Sequence, residues 1–265
     1  MALEFHRKPG LVAYLTCGDP DLETSQEVAL AAIAAGADVV ELGVPFSDPV
    51  ADGPVIQRAS ERALRRGTSL ADVLKLAQRL RRQSNAGLIV FSYFNPILCY
   101  GQDRFAGEAA RAGVDGALVT DLPVEEADEY LRTMRARELH TVFLAAPTST
   151  DERLRAIAEV ASGFVYAVSR TGVTGTRQEL AGDARRLVER LRRYTNLPIA
   201  VGFGISNPQQ FAEVGEFADA AVVGSGIVQV MEAAGSGTKA AEAVAGFIRE
   251  LRAGAGDSRV ISAVR

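Results

Sequence analysis

The 265-residue chain is poor in the residues that build metal sites and disulfides, with two cysteines, Cys17 and Cys99, and two histidines, His6 and His140. Two isolated cysteines do not make a disulfide framework, and this usage is typical of a protein of the reducing cytoplasm. Because the histidines lie far apart in the sequence, neither a histidine-based metal site nor a Ser-His-Asp triad is expected.

Long apolar runs and a strong charge of one sign are also missing. The longest apolar stretch, around Ala29 to Ala37, is too short to cross a bilayer, and the first residues lack the apolar region of a secretory signal. The net charge is −4 with acidic and basic residues interspersed, which offers no footprint for nucleic acid. With 48% hydrophobic and 23% charged residues, the composition predicts a soluble globular protein without membrane or nucleic-acid partners.

Eight short apolar runs rich in Val, Ile and Leu predict buried strands. They are Leu11–Cys17, Asp38–Leu42, Leu88–Ser92, Asp115–Thr120, His140–Ala145, Phe164–Ser169, Pro198–Gly202 and Asp219–Gly224. Between them, apolar residues at helical spacing, such as Leu70, Val73, Leu74 and Ala77, predict amphipathic helices. This alternation over roughly 250 residues predicts a (β/α)8 TIM barrel, and a doubly wound open sheet is the alternative. We expect one barrel domain over residues 1–265, with a short N-terminal extension.

Local patterns mark some element boundaries. Ser149 followed by Glu152 has the spacing of a capping box at a helix start. Two segments, Ala35–Asp38 and Ala112–Asp115, share the pattern Ala-Gly-apolar-Asp, and each ends a predicted helix and opens a predicted strand. The chain therefore carries a weak internal repeat at the helix-to-strand junctions.

In a barrel of this kind, catalytic groups lie at the carboxyl ends of the strands and in the loops that follow them. The second predicted strand ends near Glu41, and the loop after it carries Asp48 and Asp52 among three prolines and two glycines. A carboxyl group at the barrel mouth is partly desolvated, which suits a general acid or base. The alternative is a structural Glu41 bonded to a neighbouring loop, with Asp52 capping the next helix.

Glycines occur where each of the last three predicted strands ends, in Ser169–Thr176, Gly202–Ser206 and Gly224–Gly226. Glycines let backbone N–H groups approach a ligand closely, and loops at these barrel positions often bind phosphate. The sequence therefore predicts a phosphate site there, although the glycines alone could also serve only as tight turns.

Apolar side chains near several strand ends predict a pocket for a flat aromatic substrate. They are Tyr14, Phe91, Tyr93, Leu118, Leu144 and Tyr166. The chain has three lysines, Lys8, Lys75 and Lys239, and none lies at a predicted strand end to form an iminium. Cleavage of a carbon–carbon bond would then need a substrate that is its own electron sink, as an indole ring protonated at C3 is.

The segment Glu41–Pro54, ELGVPFSDPVADGP, resembles the signature of the tryptophan synthase alpha subunit family. The loops Ser169–Gly175, Gly202–Ser206 and Gly224-Ser225 resemble the phosphate loops of that family, and the resemblance extends from about Leu11 to about Leu251. It implies a (β/α)8 barrel that cleaves indole-3-glycerol phosphate into indole and glyceraldehyde 3-phosphate by a retro-aldol reaction. It also implies a chain without a metal or a cofactor of its own.

The resemblance implies a role for each matching residue. Glu41 would move protons at indole C3 and at the glyceryl hydroxyl, and Asp52 would accept the indole N–H and stabilise positive charge on the ring. The residues that match the indole-pocket positions are Tyr14, Phe91, Tyr93, Leu118, Leu144 and Tyr166. The residues that match the phosphate side are Thr174, Gly175, Gly202, Phe203, Gly204, Gly224 and Ser225.

The resemblance also implies a partner, a beta subunit that holds pyridoxal phosphate and receives indole through a tunnel in an α2β2 assembly. The loop bearing Asp48, and the loop around Gly172–Gln178, resemble the segments that couple the two subunits. A stand-alone lyase that releases free indole, and a non-catalytic regulatory barrel, are the alternatives.

Three features depart from the family pattern. Thr120 precedes Asp121 where a small alanine is common, a mild change in pocket polarity. Tyr14 stands where many members carry phenylalanine, which adds a hydroxyl to the predicted pocket. Only ten residues precede Leu11, where many members have a helix that covers the bottom of the barrel, so closure of the bottom is in doubt.

Overall fold

The computed structural model describes residues 3–168, 177–202 and 204–255, with the side chains of residues 177–180 left aside. Eight parallel strands close into a barrel in chain order, and β1 pairs with β8. The strands are β1 (Gly10–Thr16), β2 (Val39–Gly43), β3 (Gly87–Ser92), β4 (Gly116–Val119), β5 (His140–Ala145), β6 (Val165–Val168), β7 (Ile199–Gly202) and β8 (Ala220–Val223). Each lies within one residue of its predicted range, so the (β/α)8 barrel is confirmed and the open sheet was wrong.

Helices surround the barrel and connect its strands. Within the described ranges they are α1 (Leu22–Ala34), α2 (Pro54–Arg65), α3 (Leu70–Arg81), α4 (Phe94–Tyr100), α5 (Gln102–Ala112), α6 (Asp128–Arg135), α7 (Asp151–Val160), α8 (Arg177–Leu191), α9 (Pro208–Gly215), α10 (Ser225–Ala234) and α11 (Thr238–Gly254). None of these helices is both long enough and apolar enough to cross a membrane.

The start of α7 differs from the prediction. Thr150, not Ser149, is the N-cap, and its hydroxyl accepts the Arg153 N–H at 3.3 Å. The Ser149 hydroxyl instead accepts the Ala146 N–H at 3.1 Å in the preceding turn. Adjacent Ser and Thr side chains can both bond to the local backbone. Because the Ser149 hydroxyl is used in the preceding turn, Thr150 caps the helix.

Successive side chains of a strand point alternately into the barrel interior and outward into the layer beneath the helices. On β2, Val40 and Leu42 belong to the core beneath the helices, whereas Val39 belongs to the interior cluster. Glu41 and Gly43 share the inward face with Val39. The same alternation places six further predicted site residues on the inward faces of their strands. They are Tyr14, Phe91, Leu118, Leu144, Tyr166 and Gly202. The alternation thus points residues from six further strands into one space.

Three aspartates close the amino-terminal end of the barrel in the same way. Each stands one residue before an even-numbered strand, accepts a backbone N–H from the preceding strand at 2.7–2.8 Å, and pairs with an arginine. The three sets of acid, backbone donor and arginine are Asp38 with Leu11 and Arg252, Asp115 with Leu88 and Arg81, and Asp219 with Ile199 and Arg192. The repeated Ala-Gly-apolar-Asp segments contribute the first two.

The segment before β1 covers the bottom of the barrel. Leu3 is 7% exposed and belongs to the interior cluster, where its methyl groups lie over Gly87 and Gly163. The Phe5 ring meets the Phe164 ring edge-on at 6.1 Å. Two apolar side chains thus fill this end, which answers the doubt about its closure that the short segment before β1 raised.

Candidate active site

Glu41 lies in the middle of β2, because that strand continues to Gly43 rather than ending at the glutamate as the sequence suggested. Its backbone pairs with Tyr14 of β1 on one side and with Ile89 of β3 on the other, and its side chain points inward. The residue is fully buried, and neither carboxyl oxygen has a hydrogen-bond partner among the described residues. Burial disfavours the charged form and raises the pKa of Glu41 to about 8, so this carboxyl group is protonated at neutral pH.

The loop from β2 to α2 is held in place by backbone bonds. The Val44 N–H donates to the Phe91 carbonyl at 2.9 Å, which extends the β2–β3 ladder by one bond. Further along, the Asp52 N–H donates to the Pro49 carbonyl at 3.1 Å and closes a tight turn. These bonds turn the chain so that Asp52 lies directly before α2.

Tyr93, which lies just after β3, fixes the carboxyl group of Asp52. Its hydroxyl accepts the Ala51 N–H at 2.8 Å and donates to Oδ2 of Asp52 at 3.1 Å. Gly53 is the N-cap of α2 and no side chain caps that end, so the alternative of Asp52 as a helix cap was wrong. Burial raises the pKa of Asp52 to about 6, with the Tyr93 hydrogen bond opposing the shift.

Aromatic rings stand around the two carboxyl groups. The Tyr14 and Phe91 rings meet edge-on at 5.0 Å, and the Tyr14 hydroxyl lies 3.2 Å from that of Thr16. Burial raises the pKa of Tyr14 and of Tyr166, and the nearby carboxylates of Asp52 and Glu41 add to both shifts. Both phenols therefore remain protonated beside the acids, and the rings and the acids share one space.

The other predicted pocket residues complete this wall. Leu144, Phe91 and Tyr166 are half-buried and pack against an interior layer that includes the fully buried Leu118. Leu118 thus forms the floor beneath the rings. Thr16, whose hydroxyl adds a polar group to the pocket, was missed by sequence reasoning because nothing in its local pattern separates it from a core threonine.

The predicted phosphate side lies at the ends of β7 and β8. Gly202 closes β7, where a Cβ would stand 2.5 Å from the Tyr166 hydroxyl, so only glycine fits beside that ring. Gly224 is the N-cap of α10 without a side-chain cap, and Ser225 is the first residue of that helix. Gly204 adopts a left-handed φ of +79°. The N–H groups of a helix start attract anions. Thr174, Gly175 and Phe203 lie outside the described residues.

Asp48 lies on the exposed part of the same loop. Its carboxylate accepts the Ser47 hydroxyl at 2.5 Å. Val50, two residues on, is 86% exposed and is the most exposed large hydrophobic side chain among the described residues. The loop thus carries the half-buried Asp52 and, a few residues earlier, an exposed carboxylate and an exposed apolar side chain.

Comparison with known proteins identifies the family of this fold and site. The family model described as "Tryptophan synthase alpha chain" matches residues 1–255. The chain belongs to the tryptophan synthase alpha chain family. It is 49% identical to the tryptophan synthase alpha chain of Solibacter usitatus over 254 residues, which cover 96% of this chain and 95% of that protein. Membership confirms the alpha-subunit role in tryptophan biosynthesis and a lyase that cleaves indole-3-glycerol phosphate.

Solved structures of the family share the same architecture. The tryptophan synthase alpha subunit of Legionella pneumophila superposes with a TM-score of 0.85 at 36% identity and covers 93% of this chain and 92% of its own. A chain from a structure of the Pyrococcus furiosus tryptophan synthase α2β2 complex superposes with a TM-score of 0.85 at 37% identity and covers 94% and 100%. The tryptophan synthase alpha barrel is thus the fold of this chain.

Proposed function

We propose that Glu41 and Asp52 carry out the cleavage of indole-3-glycerol phosphate, one as the proton carrier and the other as a fixed negative charge. The observation that supports this division is that two carboxyl groups at one end of the barrel have different surroundings. Glu41 is fully buried without a partner in the described part of the chain, whereas Asp52 is bonded to Tyr93. Their pKa values of about 8 and about 6 leave Glu41 protonated and Asp52 ionised near pH 7.

In the first step, the Glu41 carboxyl group donates its proton to C3 of the indole ring. The ring becomes a cation, and its N–H donates a hydrogen bond to the Asp52 carboxylate. A negative charge held in place before the reaction stabilises the developing positive charge without reorganisation. The Tyr93 hydroxyl holds Oδ2 of Asp52, which makes Tyr93 a positioning residue for this charge.

In the second step, the Glu41 carboxylate takes the proton of the glyceryl hydroxyl next to the ring. The bond between ring carbon C3 and the side chain breaks, the hydroxyl carbon becomes the aldehyde of glyceraldehyde 3-phosphate, and the electron pair returns to the ring. Indole leaves neutral, and Glu41 is again protonated. One carboxyl group thus serves both transfers.

The phosphate is proposed to bind at the start of α10, where Gly224 and Ser225 present backbone N–H groups. Thr174, Gly175, Gly202, Phe203 and Gly204 are the other proposed contributors. The indole ring is proposed to lie among the indole-pocket residues, Tyr14, Phe91, Tyr93, Leu118, Leu144 and Tyr166. Ring and phosphate would then lie on opposite sides of the barrel mouth.

We further propose that a beta subunit carrying pyridoxal phosphate binds the loop with Asp48 and Val50, in an α2β2 assembly. The exposed valine beside an exposed carboxylate is the surface feature that supports this. This chain would hold no cofactor itself and would act in the cytoplasm, where its two free cysteines stay reduced.

Release of indole from indole-3-glycerol phosphate, measured with and without a beta subunit, tests this function. We expect slow release by the chain alone and faster release in the complex. Equal, fast release in both conditions would favour the stand-alone lyase. No release in either condition, with substrate still bound, would favour the non-catalytic regulatory barrel.

A further inference from the structure

One arginine on α2 holds carboxylates from two other elements. Nε and Nη2 of Arg62 donate to the two carboxylate oxygens of Asp19 at 2.7 and 2.8 Å, and Nη1 donates to Oε1 of Glu232 at 2.8 Å. Asp19 lies in the loop between β1 and α1 and is 4% exposed, and Glu232 lies on α10. A bidentate guanidinium fixes angle as well as distance, so Arg62 sets how α2 lies against that loop and against α10.

The two helices that Arg62 joins each begin next to one proposed end of the substrate. α2 begins directly after Asp52 and Gly53, and the Gln57 side-chain amide of α2 donates to the Asp52 carbonyl at 2.9 Å. α10 begins at Ser225, on the proposed phosphate side. A movement of α2 relative to α10 would therefore change the separation between the Asp52 carboxylate and the phosphate.

The interface under this ion pair also touches the pocket. Ala59 of α2 and Val228 of α10 are fully buried and pack together with Tyr14. At the far end of α2, Gly18 of the β1–α1 loop packs on Thr68, so close that a Cβ on Gly18 would stand 2.1 Å from the Thr68 hydroxyl. The α2 helix is thus packed against its neighbours at several points. Arg62 binds Glu232 of α10 at 2.8 Å, and Nη2 of Arg58, one turn earlier on α2, lies 3.8 Å from the other oxygen of that carboxylate.

We propose that Arg62 is a positioning residue that fixes the distance between Asp52 and the phosphate end of α10, so that the two ends of one substrate bind at once. This inference rests on the function proposed above. A substrate that spans two subsites gains from both only when their separation matches its length. This role predicts a specific result when Arg62 is replaced. The intact substrate should bind more weakly and react more slowly, whereas ligands that resemble only its ring half or only its phosphate half should bind as before.

The test compares Arg62→Gln with wild type, using the isolated chain. Indole probes the ring side, glycerol 3-phosphate probes the phosphate side, and indole-3-glycerol phosphate spans both. We expect kcat/KM for the intact substrate to fall roughly tenfold or more. The Kd of indole and the Kd of glycerol 3-phosphate should each change by less than about twofold, because each half touches one side only.

Three further variants make the result specific. Arg62→Lys keeps the charge but cannot hold two carboxylates in a fork, so an intermediate loss is expected. Glu232→Gln removes the carboxylate of α10 that Arg62 and Arg58 share and leaves the pair of Arg62 with Asp19 intact. Because the Glu232 side chain is 39% exposed, this variant tests the proposal even if Arg62→Gln fails to fold. Arg65→Gln is the matched control, since Arg65 pairs with Glu61 one turn earlier and both are exposed.

Weaker binding of indole or of glycerol 3-phosphate by Glu232→Gln would overturn the inference. It would show that the ion pair maintains the structure of one subsite and does not set the distance between the two. An unchanged kcat/KM in both Glu232→Gln and Arg62→Gln would overturn it as well. Both outcomes are distinct from a failure of the proposed function, in which the wild-type chain itself would release no indole.

Discussion

Glu41 and Asp52 are chemically alike, and their environments give them different protonation states. Glu41 takes an inward position that the alternation of β2 would otherwise fill with an apolar residue, so its carboxyl group is surrounded by the barrel interior. Asp52 lies in a loop, keeps partial contact with solvent and accepts the Tyr93 hydroxyl. Desolvation therefore acts more strongly on Glu41, and the pKa values of the two groups are driven apart.

This separation predicts the pH dependence of the reaction. As the pH falls through about 6, Asp52 takes up a proton and loses its charge, and as the pH rises through about 8, Glu41 loses the proton that it donates. We expect a bell-shaped profile of kcat/KM with limbs near these two values. The residual activity of Asp52→Asn should be severely reduced and should lack the acidic limb.

A matched control is Asp103→Asn, which removes an exposed carboxylate on α5 and should keep both limbs. A profile of Asp52→Asn that retains an acidic limb near pH 6 would assign that limb to another group and contradict the role of Asp52.

At the scale of elements, the strands were predictable and the contacts between elements were not. Buried parallel strands are short apolar runs, and the sequence shows eight of them. The bond from Tyr93 to Asp52 joins residues 41 positions apart, and the bond from Arg62 to Glu232 joins residues 170 positions apart. No local pattern encodes such pairs, because the pairing of neighbouring strands and the closure of the barrel bring them together.

The start of α10 gives a prediction for the phosphate side. A carboxylate in place of the Ser225 hydroxyl would stand among the N–H groups that are proposed to bind phosphate and would repel a dianion. We expect Ser225→Asp to raise the KM for indole-3-glycerol phosphate roughly tenfold or more. Ser236→Asp adds the same charge in the loop beyond the other end of α10 and should leave KM unchanged. Equal KM values in both variants would refute the phosphate assignment.

The aspartate–arginine sets at the bottom of the barrel give a prediction for stability. The side chains of Arg252 and Asp38 are 9% and 6% exposed, so Arg252→Met leaves a buried carboxylate without its cation. We expect the free energy of unfolding to fall by roughly 3–5 kcal/mol, measured by urea denaturation. Arg192→Met, whose pair with Asp219 is 36% and 32% exposed, should cost about 1 kcal/mol or less. Equal losses would show that burial does not set the strength of these pairs.

At the scale of the whole molecule, the barrel explains why scattered residues form one site. Glu41 lies on the inward face because side chains alternate along β2. The Ala-Gly-apolar-Asp repeat predicted two helix-to-strand junctions, and the structure adds that its two aspartates bond to the barrel bottom. The sequence could not show that Leu3 and Phe5 fill the bottom of the barrel, because isolated apolar residues near a terminus show no helical or strand periodicity. The N-terminal segment closes the barrel at one end, and the proposed catalytic site lies at the other.

The most direct test of the central role of Glu41 is substrate binding measured alongside turnover in Glu41→Gln. The amide has nearly the same shape as the protonated carboxyl group but cannot donate and retrieve a proton, so the pocket should persist without the reaction. We predict a Kd for indole-3-glycerol phosphate within severalfold of that of the wild-type chain, and release of indole at the uncatalysed rate. Release of indole by Glu41→Gln at a rate close to wild type would contradict the mechanism.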